Sequence, residues 1–379
     1  MPNGTAQAKY MRFPRWRGDL KALVRVRQMA PLLPIIPLFF PSLWPAVVSS
    51  PSSPSPLSLI TDDMRAVDRV IAERLDSGVP LVGQVAHYII SAGGKRLRPA
   101  LLLLVSGALG YQGPHRHALA AVVEFIHTAT LLHDDVVDDS KLRRGNPTAN
   151  EAFGNAASVL VGDFLYSRAF QMMVEAQSMR IMEVLAEATN VIAEGEVQQL
   201  MNMHNADLDE AGYVQVIRSK TAKLFEASAR CGAILAGADA MLEAACADYG
   251  QALGTAFQVI DDVLDYAGDA TVMGKSLGDD LREGKATLPL IAAMQRGTAQ
   301  ERQLIRGAIE SGLGEDEARN AQVLQEVIGI VQRTGALDIA RAAASREAER
   351  AIAATRGLPA NLHSASLVQL ATQLLARQS

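Results

Sequence analysis

The sequence predicts an all-α protein whose helices form a single large bundle. Apolar residues recur with a period near 3.6 residues through most of the chain, and no alternation of apolar and polar residues indicates a strand. Hydrophobic residues make up 49% of the 379 residues and aromatic residues only 5%, a mixture that favours helices. No Pro/Gly-rich linker divides the periodic region, so we predict one domain over residues 59–379.

Short polar or glycine-containing breaks divide this region into successive helices. Each break interrupts the apolar period, and each segment between breaks is long enough for several helical turns. We predict helices over 62–76, 80–91, 97–109, 115–139, 148–176, 179–203, 209–236, 240–267, 286–296, 300–312, 317–333, 336–355 and 363–377.

Residues 1–58 differ from the rest of the chain. They begin with a basic stretch, continue with an apolar stretch that holds five prolines between Pro31 and Pro45, and end in a Ser/Pro-rich run. A membrane-spanning helix needs about 20 apolar residues with intact backbone hydrogen bonding, which these prolines interrupt. A signal peptide would have a cleaner apolar core. We predict an extension that is disordered or lies upstream of the native start, with a membrane-touching segment as the alternative.

The net charge argues against one class of function, and the cysteines indicate a cellular compartment. The formal net charge of −5 argues against a general nucleic-acid binder, whose domain is usually basic. Cys231 and Cys246 stand in apolar helical sequence without metal-ligand spacing. We therefore predict buried free thiols, a reducing compartment and a cytoplasmic location.

Two D-D-x-x-D motifs at the ends of apolar helices are the strongest chemical signal. In each motif the first and last aspartates share one helical face. Stacked carboxylates repel each other unless a cation neutralises them, and Mg²⁺ is typically held by one or two carboxylates together with substrate phosphates. The motifs therefore predict two walls of a diphosphate–magnesium site, formed by Asp134, Asp135, Asp138, Asp261, Asp262 and Asp265.

Basic residues follow glycines or helix ends near these motifs. The stretch GGKRLRP at 93–99 combines two glycines, which let the backbone approach a ligand, with Lys95 and Arg98 beside a helix N-terminus. Arg143 and Arg144 follow the first aspartate helix and suit forked hydrogen bonds to phosphate oxygens. Both stretches predict anion binding.

Several polar side chains interrupt otherwise apolar helices. Lys220 and Thr221 form such a pair, and Gln258 stands three residues before the second aspartate motif. We expect Lys220 to contact a diphosphate, and Thr221 and Gln258 to stabilise positive charge or orient substrate. Lys275 follows in a glycine-bearing loop, and His127 lies two turns before the first motif on nearly the same face.

Taken in order, these motifs resemble those of the trans-type polyprenyl diphosphate synthases, from about residue 57 to the C-terminus. One D-D-x-x-D alone would be a weak signal, whereas the ordered set is specific. It comprises GGKRLRP (93–99), EFIHTATLLHDDVVDDSKLRRGNPTAN (124–150), VGDFLYSRAFQMM (161–173), NVIAEGEVQQLMN (190–202), SKTAKLFEA (219–227), GTAFQVIDDVLDY (254–266) and GKSLGDDLREGKATLPL (274–290).

The resemblance implies an isoprenoid synthase fold, a helical bundle around a deep central cavity, usually as a homodimer. It implies that the six aspartates bind three Mg²⁺ ions. It assigns the isopentenyl diphosphate site to Lys95, Arg98, His127 and Arg144. It assigns the allylic diphosphate site to Arg143, Lys220, Thr221, Gln258 and Lys275.

The implied activity is repeated head-to-tail condensation of isopentenyl diphosphate onto an allylic diphosphate such as farnesyl diphosphate. The resemblance is strongest to bacterial long-chain enzymes, which implies octaprenyl diphosphate for quinone side chains and peripheral membrane contact during product release. Product length should depend on cavity depth. The wall and floor candidates are Ala129, where short-product members often carry an aromatic residue, and Ile126, Val123, Met172 and Met173.

Two other functions remain open at this point. A terpene cyclase of the same fold usually carries one D-D-x-x-D and a different second metal motif. A non-catalytic subunit of a heteromeric prenyl synthase typically loses one aspartate motif, whereas this chain retains both. An activity assay with and without EDTA separates these alternatives from the synthase.

Overall fold

Helices dominate the part of the chain that the structure, a computed structural model, describes: residues 55–143, 145–267, 277–312 and 317–377. The prediction of an all-α protein is confirmed. Most of the proposed extension over 1–58 lies outside the described residues, so it stays a prediction. Within the described ranges, no helix is both long and apolar enough to cross a bilayer.

Seven α-helices and a short β-ladder form the first half of the described chain. A 3-10 turn over Ser58–Ile60 precedes them. Their bounds are α1 Thr61–Arg74, α2 Pro80–Ser91, α3 Leu97–Ala108, α4 His115–Val137, β1 Leu142–Arg143, β2 Asn146–Pro147, α5 Ala149–Phe153, α6 Asn155–Glu175 and α7 Met179–Met201.

The second half continues with helices alone. A π-helical turn over Arg218–Ala222 joins α8 to α9, and a 3-10 turn over Thr355–Gly357 precedes the last helix. The bounds are α8 Glu210–Ile217, α9 Lys223–Leu235, α10 Ala240–Ala267, α11 Asp279–Arg282, α12 Leu288–Arg296, α13 Ala299–Ser311, α14 Glu317–Arg333, α15 Ala336–Ala354 and α16 Leu362–Leu375.

Local chemistry explains where these elements depart from the predicted bounds. The segment predicted as one helix over 148–176 breaks at Gly154, whose φ of 86° a residue with a side chain rarely adopts. The first aspartate helix ends at Val137 and not at residue 139, with Asp138 as its C-cap. The antiparallel pair Leu142–Arg143 and Asn146–Pro147 was not predicted, because two-residue strands leave no periodic pattern.

Two contiguous apolar clusters form the core around α10. One cluster joins α3, α4, α6, α7, α9 and the first half of α10, and the other joins the second half of α10 to α12, α13, α14 and α15. Helix α4 packs against α3, α6 and α9, while α10 packs along α9 and α15. Both predicted free thiols, Cys231 and Cys246, are buried. The helices α4 and α10, whose last turns carry the aspartate motifs, are thereby packed into the core.

Candidate active site

The two outer carboxylates of the first motif, Asp134 and Asp138, line a cavity, and each lies near a lysine. Lys220 Nζ lies 3.9 Å from Asp134 Oδ2, and Lys285 Nζ lies 3.4 Å from Asp138 Oδ2. Burial raises the pKa of Asp134; the positive charge of Lys220 opposes this shift, and the negative charge of Asp138 adds to it. A further cation placed between these carboxylates would relieve their mutual repulsion.

The middle carboxylate of the first motif has a different role. Asp135 is completely buried, and the Arg143 guanidinium donates to it from Nη2 at 2.6 Å and from Nε at 3.1 and 3.3 Å. Both carboxylate oxygens are thus occupied by a forked, charge-assisted pair. Asp135 holds Arg143 in place, so the geometry does not favour Asp135 as a direct metal ligand.

In the second motif, as in the first, the first aspartate and the middle aspartate have different contacts. Asp261 is half-buried, and its Oδ1 lies 2.9 Å from Nη1 of Arg377. Asp262 is buried and accepts hydrogen bonds from Tyr213 Oη at 2.6 Å and Gln258 Nε2 at 2.7 Å. As with Asp135, both oxygens of Asp262 are used within the protein.

The last aspartate of the second motif anchors a short helix. Asp265 accepts the backbone N–H groups of Asp279 and Asp280, both at 3.2 Å, at the start of α11. Burial, together with the negative charge of Asp280, raises the pKa of Asp265 to about 8. Its contacts therefore indicate a capping role in the described structure.

The π-helical turn places the side chains of Lys220 and Thr221 against two different helices. Lys220 Nζ lies 2.6 Å from Glu196 Oε2 on α7, while Thr221 Oγ1 donates to Gln258 Oε1 on α10 at 3.0 Å. Wide turns of this kind are often found at functional sites. Gly195 allows the close approach, since a Cβ there would meet the Lys220 backbone nitrogen at 2.8 Å.

Glu196, beside the first motif, has a strongly raised pKa. Burial raises its pKa to about 7, and the negative charge of Asp134 adds to the shift, whereas Lys220 opposes it. Glu196 was not predicted as a site residue, although it lies within the stretch NVIAEGEVQQLMN. Its ion pair fixes the Lys220 ammonium near the acidic wall.

Two arginines enclose a pair of phenylalanines beside the second acidic wall. Arg98 stacks on Phe225 at 4.5 Å, Phe225 lies 5.6 Å from Phe257, and Arg377 stacks on Phe257 at 4.8 Å. Such cation–π contacts hold charged groups in fixed orientations without neutralising them. The site therefore presents two guanidinium groups on this side, of which that of Arg377 pairs with Asp261.

Arg98 also lies beside the predicted histidine. Its Nη1 is 3.2 Å from His127 Nε2. Burial lowers the pKa of Arg98 to about 10, against the charges of Glu124 and Asp261, so the guanidinium stays protonated at neutral pH. The structure thus brings together Arg98 and His127, while Lys95 is exposed in the loop before α3. The predicted residues Arg144 and Lys275 lie outside the described residues.

Lys285 is a site residue that the predictions missed. Besides Asp138, it pairs with Glu283, and although burial opposes the change, these negative charges raise the pKa of Lys285 above its usual value. Its position in GKSLGDDLREGKATLPL was a usable signal. For Arg377, near the end of the chain, no local pattern indicated a role.

A cavity of about 960 Å³ extends from the first acidic wall between α4, α6 and α7. Its wall includes Asp134 and Asp138 at one end and the side chains of Tyr166 and Phe170 further along. A smaller cavity of about 130 Å³ is lined by Lys220, Thr221, Gln258, Asp262 and Lys285. We call this smaller cavity the charged chamber. Gln199 and Met203 line both cavities, so the charged chamber adjoins the larger, more apolar one.

The predicted chain-length residues do not line this large cavity. Ala129, Ile126, Val123, Met172 and Met173 are all at most 1% exposed and belong to the packed core. Ala129 is five residues before Asp134, about 140° away around the helix, whereas Thr130 is about 40° away and lines the cavity. An effect of Ala129 on product length would therefore act through the packing behind the wall.

The arrangement fits Mg²⁺ as the missing counter-charge. Asp134 and Asp138 supply hard oxygen donors beside Lys220 and Lys285, and Asp261 supplies another beside Arg377. Among the residues that the structure describes, no three His, Cys, Asp or Glu side chains form a metal-binding cluster. A magnesium ion here would need substrate phosphates to complete its coordination, as is typical of this ion.

Comparisons with known proteins identify relatives along most of the chain. The family model described as Polyprenyl synthetase matches residues 79–327. The chain is 52% identical over 313 residues to the octaprenyl diphosphate synthase of Escherichia coli K12, covering 83% of this chain and 95% of the relative. It is 45% identical over 322 residues to the geranyl-diphosphate-specific all-trans-nonaprenyl-diphosphate synthase of Rhodobacter capsulatus, covering 85% and 97%.

Solved structures share the fold. A polyprenyl synthase from Caulobacter crescentus CB15, complexed with calcium and isoprenyl diphosphate, superposes with a TM-score of 0.81 at 45% identity. The match covers 86% of this chain and 97% of that one. The predicted isoprenoid synthase fold and the resemblance drawn from the sequence motifs are both confirmed.

Proposed function

Because the chain belongs to the polyprenyl synthetase family and is a prenyltransferase, we propose that it makes a long-chain polyprenyl diphosphate, octaprenyl diphosphate in particular. Its substrates would be isopentenyl diphosphate and an allylic primer such as farnesyl diphosphate. The observation that carries the proposal is the first acidic wall at one end of a cavity of about 960 Å³, next to a smaller cavity lined by Lys220, Asp262 and Lys285. The 52% identity to an octaprenyl diphosphate synthase supports the chain length.

The two diphosphates would occupy different sides of the charged chamber. The allylic diphosphate would lie against Lys220, Arg143 and Lys285, with its tail directed into the large cavity. Isopentenyl diphosphate would lie on the side of Arg98 and His127. This assignment follows the charges, since each side offers cations held by ion pairs or aromatic stacking.

We propose that Asp134, Asp138 and Asp261 hold Mg²⁺ ions, three per active site as in the family. Bound there with the diphosphate, magnesium would neutralise the charge that develops on the leaving group. Asp135 and Asp262 would contribute indirectly, by holding Arg143 and Gln258. Asp265 would keep α11 in place.

The chain's own residues would guide the reaction. The C–O bond of the allylic diphosphate breaks, a C–C bond forms to the double bond of isopentenyl diphosphate, and a proton leaves toward the released pyrophosphate. Lys220 and Arg143 hold the leaving group, while the oxygens of Thr221 and Gln258 lie where they can stabilise the allylic cation. Apolar walls around Tyr166 and Phe170 exclude water from that cation.

The cavity's length supports a growing apolar tail. Its lining on α7 extends from Thr189 to Leu200, about 16 Å along the helix at 1.5 Å per residue. Each condensation would regenerate an allylic diphosphate, which can react again in the same site. A quinone side chain is the proposed use of such a product, and peripheral membrane contact its proposed route of release.

We also propose a homodimer in the cytoplasm. Helices α6 and α7 expose large apolar side chains on their outer faces, a feature typical of interaction surfaces. These include Leu160, Val174 and Met201. The free thiols of Cys231 and Cys246 support a reducing compartment.

Product analysis tests the proposal. Purified protein is incubated with farnesyl diphosphate, labelled isopentenyl diphosphate and Mg²⁺, and the dephosphorylated products are chromatographed against polyprenol standards. We expect octaprenol as the main product and none in the presence of EDTA. A main product of twenty carbons or fewer would refute the long-chain assignment.

The same assay separates the alternatives. A terpene cyclase would convert the allylic diphosphate alone into a hydrocarbon, with no incorporation of labelled isopentenyl diphosphate. A non-catalytic subunit would give no product without a partner. Each of these results would overturn the proposed function.

A further inference from the structure

A buried tyrosine begins a chain of hydrogen bonds that ends in the charged chamber. Tyr213 on α8 is 4% exposed, and its hydroxyl donates to Asp262 Oδ2 at 2.6 Å. Asp262 Oδ1 accepts from Gln258 Nε2 at 2.7 Å, and Gln258 Oε1 accepts from Thr221 Oγ1 at 3.0 Å. Four side chains on three elements are therefore linked in series.

The donors in this series converge on the Asp262 carboxylate, from Tyr213 on one side and from Gln258 and Thr221 on the other. Thr221 gives its only hydroxyl hydrogen to Gln258, and Gln258 gives an amide hydrogen to Asp262. The Thr221 oxygen therefore keeps its lone pairs available on the side of the small cavity that it lines. A hydroxyl held in this way presents partial negative charge and cannot turn its hydrogen toward a developing cation.

The direction of the series depends on how Asp262 is held. A glutamine amide has nearly the same shape in its two orientations, so only its hydrogen-bond partners decide which end faces Thr221. With Tyr213 on one oxygen, the Asp262 carboxylate offers its other oxygen to Gln258 as an acceptor in a fixed position. Without the phenol, the buried carboxylate would lose a donor and could rotate.

We propose that Tyr213 is a positioning residue, which holds Asp262 and thereby orients Gln258 and the Thr221 oxygen toward the reacting allylic carbon. This role rests on the proposed prenyltransfer. Tyr213 also lines the smaller cavity, and its contribution to the orientation of Thr221 passes through Asp262 and Gln258. Second-layer partners of this kind commonly affect rates about 10- to 100-fold.

The π-helical turn explains how Tyr213 and Thr221 come to the same partner helix. Residues eight apart on a regular α-helix differ by about 80° in direction. The π-helical turn accommodates one extra residue, so the separation of eight residues corresponds to seven residues of a regular α-helix. The two side chains then point within about 20° of each other. Both side chains therefore face α10, where Gln258 and Asp262 lie.

The protein contains a matched control for the loss of a buried tyrosine hydroxyl. Tyr249 is 1% exposed, and its hydroxyl donates to the backbone oxygen of Leu367 at 2.8 Å, away from the charged chamber. Tyr249→Phe and Tyr213→Phe each remove one buried hydrogen bond and keep the ring. A merely structural role for Tyr213 predicts similar effects of both substitutions.

The first test observes Gln258 directly, without metal or substrate. In protein labelled with ¹⁵N-glutamine, the side-chain signal of Gln258 is assigned by its loss in Gln258→Met. In the unsubstituted protein we expect one amide hydrogen of Gln258 to be shifted downfield and protected from exchange. We expect Tyr213→Phe to move this signal by more than its line width and Tyr249→Phe to leave it in place.

The second test measures the condensation step. We expect Tyr213→Phe to lower kcat about tenfold, with KM for both diphosphates within about twofold of the unsubstituted protein, because the leaving-group and diphosphate contacts are intact. Tyr249→Phe should leave kcat unchanged. In a Gln258→Met background, Tyr213→Phe should lower kcat no further, since the link it acts through is already broken.

Each outcome decides a separate point. An unprotected Gln258 amide in the unsubstituted protein would overturn the inference without any substitution, even if Tyr213→Phe failed to fold. Equal losses of kcat in Tyr213→Phe and Tyr249→Phe, or additive losses with Gln258→Met, would also overturn it. If the Gln258 amide signal behaves as expected while the protein makes no polyprenyl product, that result would refute the proposed function and support the hydrogen-bond series.

Discussion

Arg377 forms an ion pair with Asp261, 2.9 Å between Nη1 and Oδ1, while its guanidinium stacks on Phe257. The segment after α16 therefore covers the second acidic wall. In this arrangement Arg377 balances the charge of a carboxylate proposed to bind metal. Together with Arg98, it also flanks the aromatic pair Phe225 and Phe257.

Replacing Arg377 should weaken substrate binding more than it affects folding. Hydrogen bonds to charged groups are worth about 1.5–3 kcal/mol, so we expect Arg377→Ala to raise KM for isopentenyl diphosphate about tenfold or more. Steady-state kinetics with each diphosphate varied in turn measures this effect. Arg356→Ala, at an exposed position in the 3-10 turn before α16, is the control and should behave as the unsubstituted protein. An unchanged KM in Arg377→Ala would show that Arg377 does not contribute to the binding of isopentenyl diphosphate.

Removing one carboxylate from either wall should abolish most turnover. Because metal-assisted charge neutralisation supplies several kcal/mol, we expect Asp134→Asn and Asp261→Asn each to lower kcat by roughly a hundredfold or more. Circular dichroism should show unchanged helicity, since neither substitution removes core packing. Asp338→Asn on the exposed side of α15 serves as the control. Full activity in both wall variants would rule out the proposed metal-binding role of the walls.

The close packing around the π-helical turn gives a prediction about glycine. In Gly195→Ala the new Cβ would meet Lys220 N and Ser219 Cβ, each at 2.8 Å, so the turn must shift. We expect a stability loss of about 1–3 kcal/mol and a large fall in kcat. Gly307→Ala is the matched control: its Cβ meets nothing within 4 Å, and alanine in a helix is more stable than glycine by about 0.5–1 kcal/mol. Denaturant unfolding and kinetics measure both variants, and equal behaviour would contradict the packing argument.

Two adjacent substitutions distinguish the wall of the large cavity from the core behind it. Thr130→Phe places a ring in the cavity, so we expect shorter products with little loss of stability. Ala129→Phe should also shorten the product, but by overpacking the core, at a cost of about 1–3 kcal/mol. Chromatography of the dephosphorylated products, combined with thermal unfolding, tests both. An unaltered product distribution in Thr130→Phe would remove Thr130 from the path of the growing tail.

The buried thiols should be unreactive in the folded protein. Burial raises the pKa of both Cys231 and Cys246 to about 12, so almost no thiolate exists at pH 8, whereas an unfolded cysteine with its usual pKa of about 8.5 is partly ionised there. We expect negligible reaction with a thiol reagent at pH 8 until denaturant is added. Rapid reaction of either thiol in the native protein would show that the helices around it open.

Helical periodicity and motif spacing predicted much of this molecule. The pairing of Asp134 with Asp138 on one face follows from four-residue spacing alone, and the structure places both in the cavity wall. The same geometry turns Asp135 by about 100° from Asp134, which is why it meets Arg143 in the interior. The sequence motif alone does not separate these roles, and metal binding by all six aspartates stays a prediction.

Contacts between distant parts of the chain were beyond sequence reasoning. Tyr213 and Thr221 face the same helix because the π-helical turn between them alters the helical register, and nothing in the local sequence marks that turn. Arg377 reaches Asp261 through the packing of α16, which no local pattern specifies. Ala129 faces the core and not the cavity, because α4 is buried on several sides at once.

The central claim is that two acidic walls hold divalent ions around the diphosphate of an allylic primer. A crystal structure with Mg²⁺ and an unreactive thiodiphosphate analogue of farnesyl diphosphate tests it most directly. We expect oxygens of Asp134, Asp138 and Asp261 within about 2.0–2.1 Å of magnesium ions, the distance typical of this metal. Asp135 and Asp262 should remain on Arg143 and Tyr213. Magnesium bound elsewhere, or walls that hold no ion in the presence of the analogue, would contradict the account.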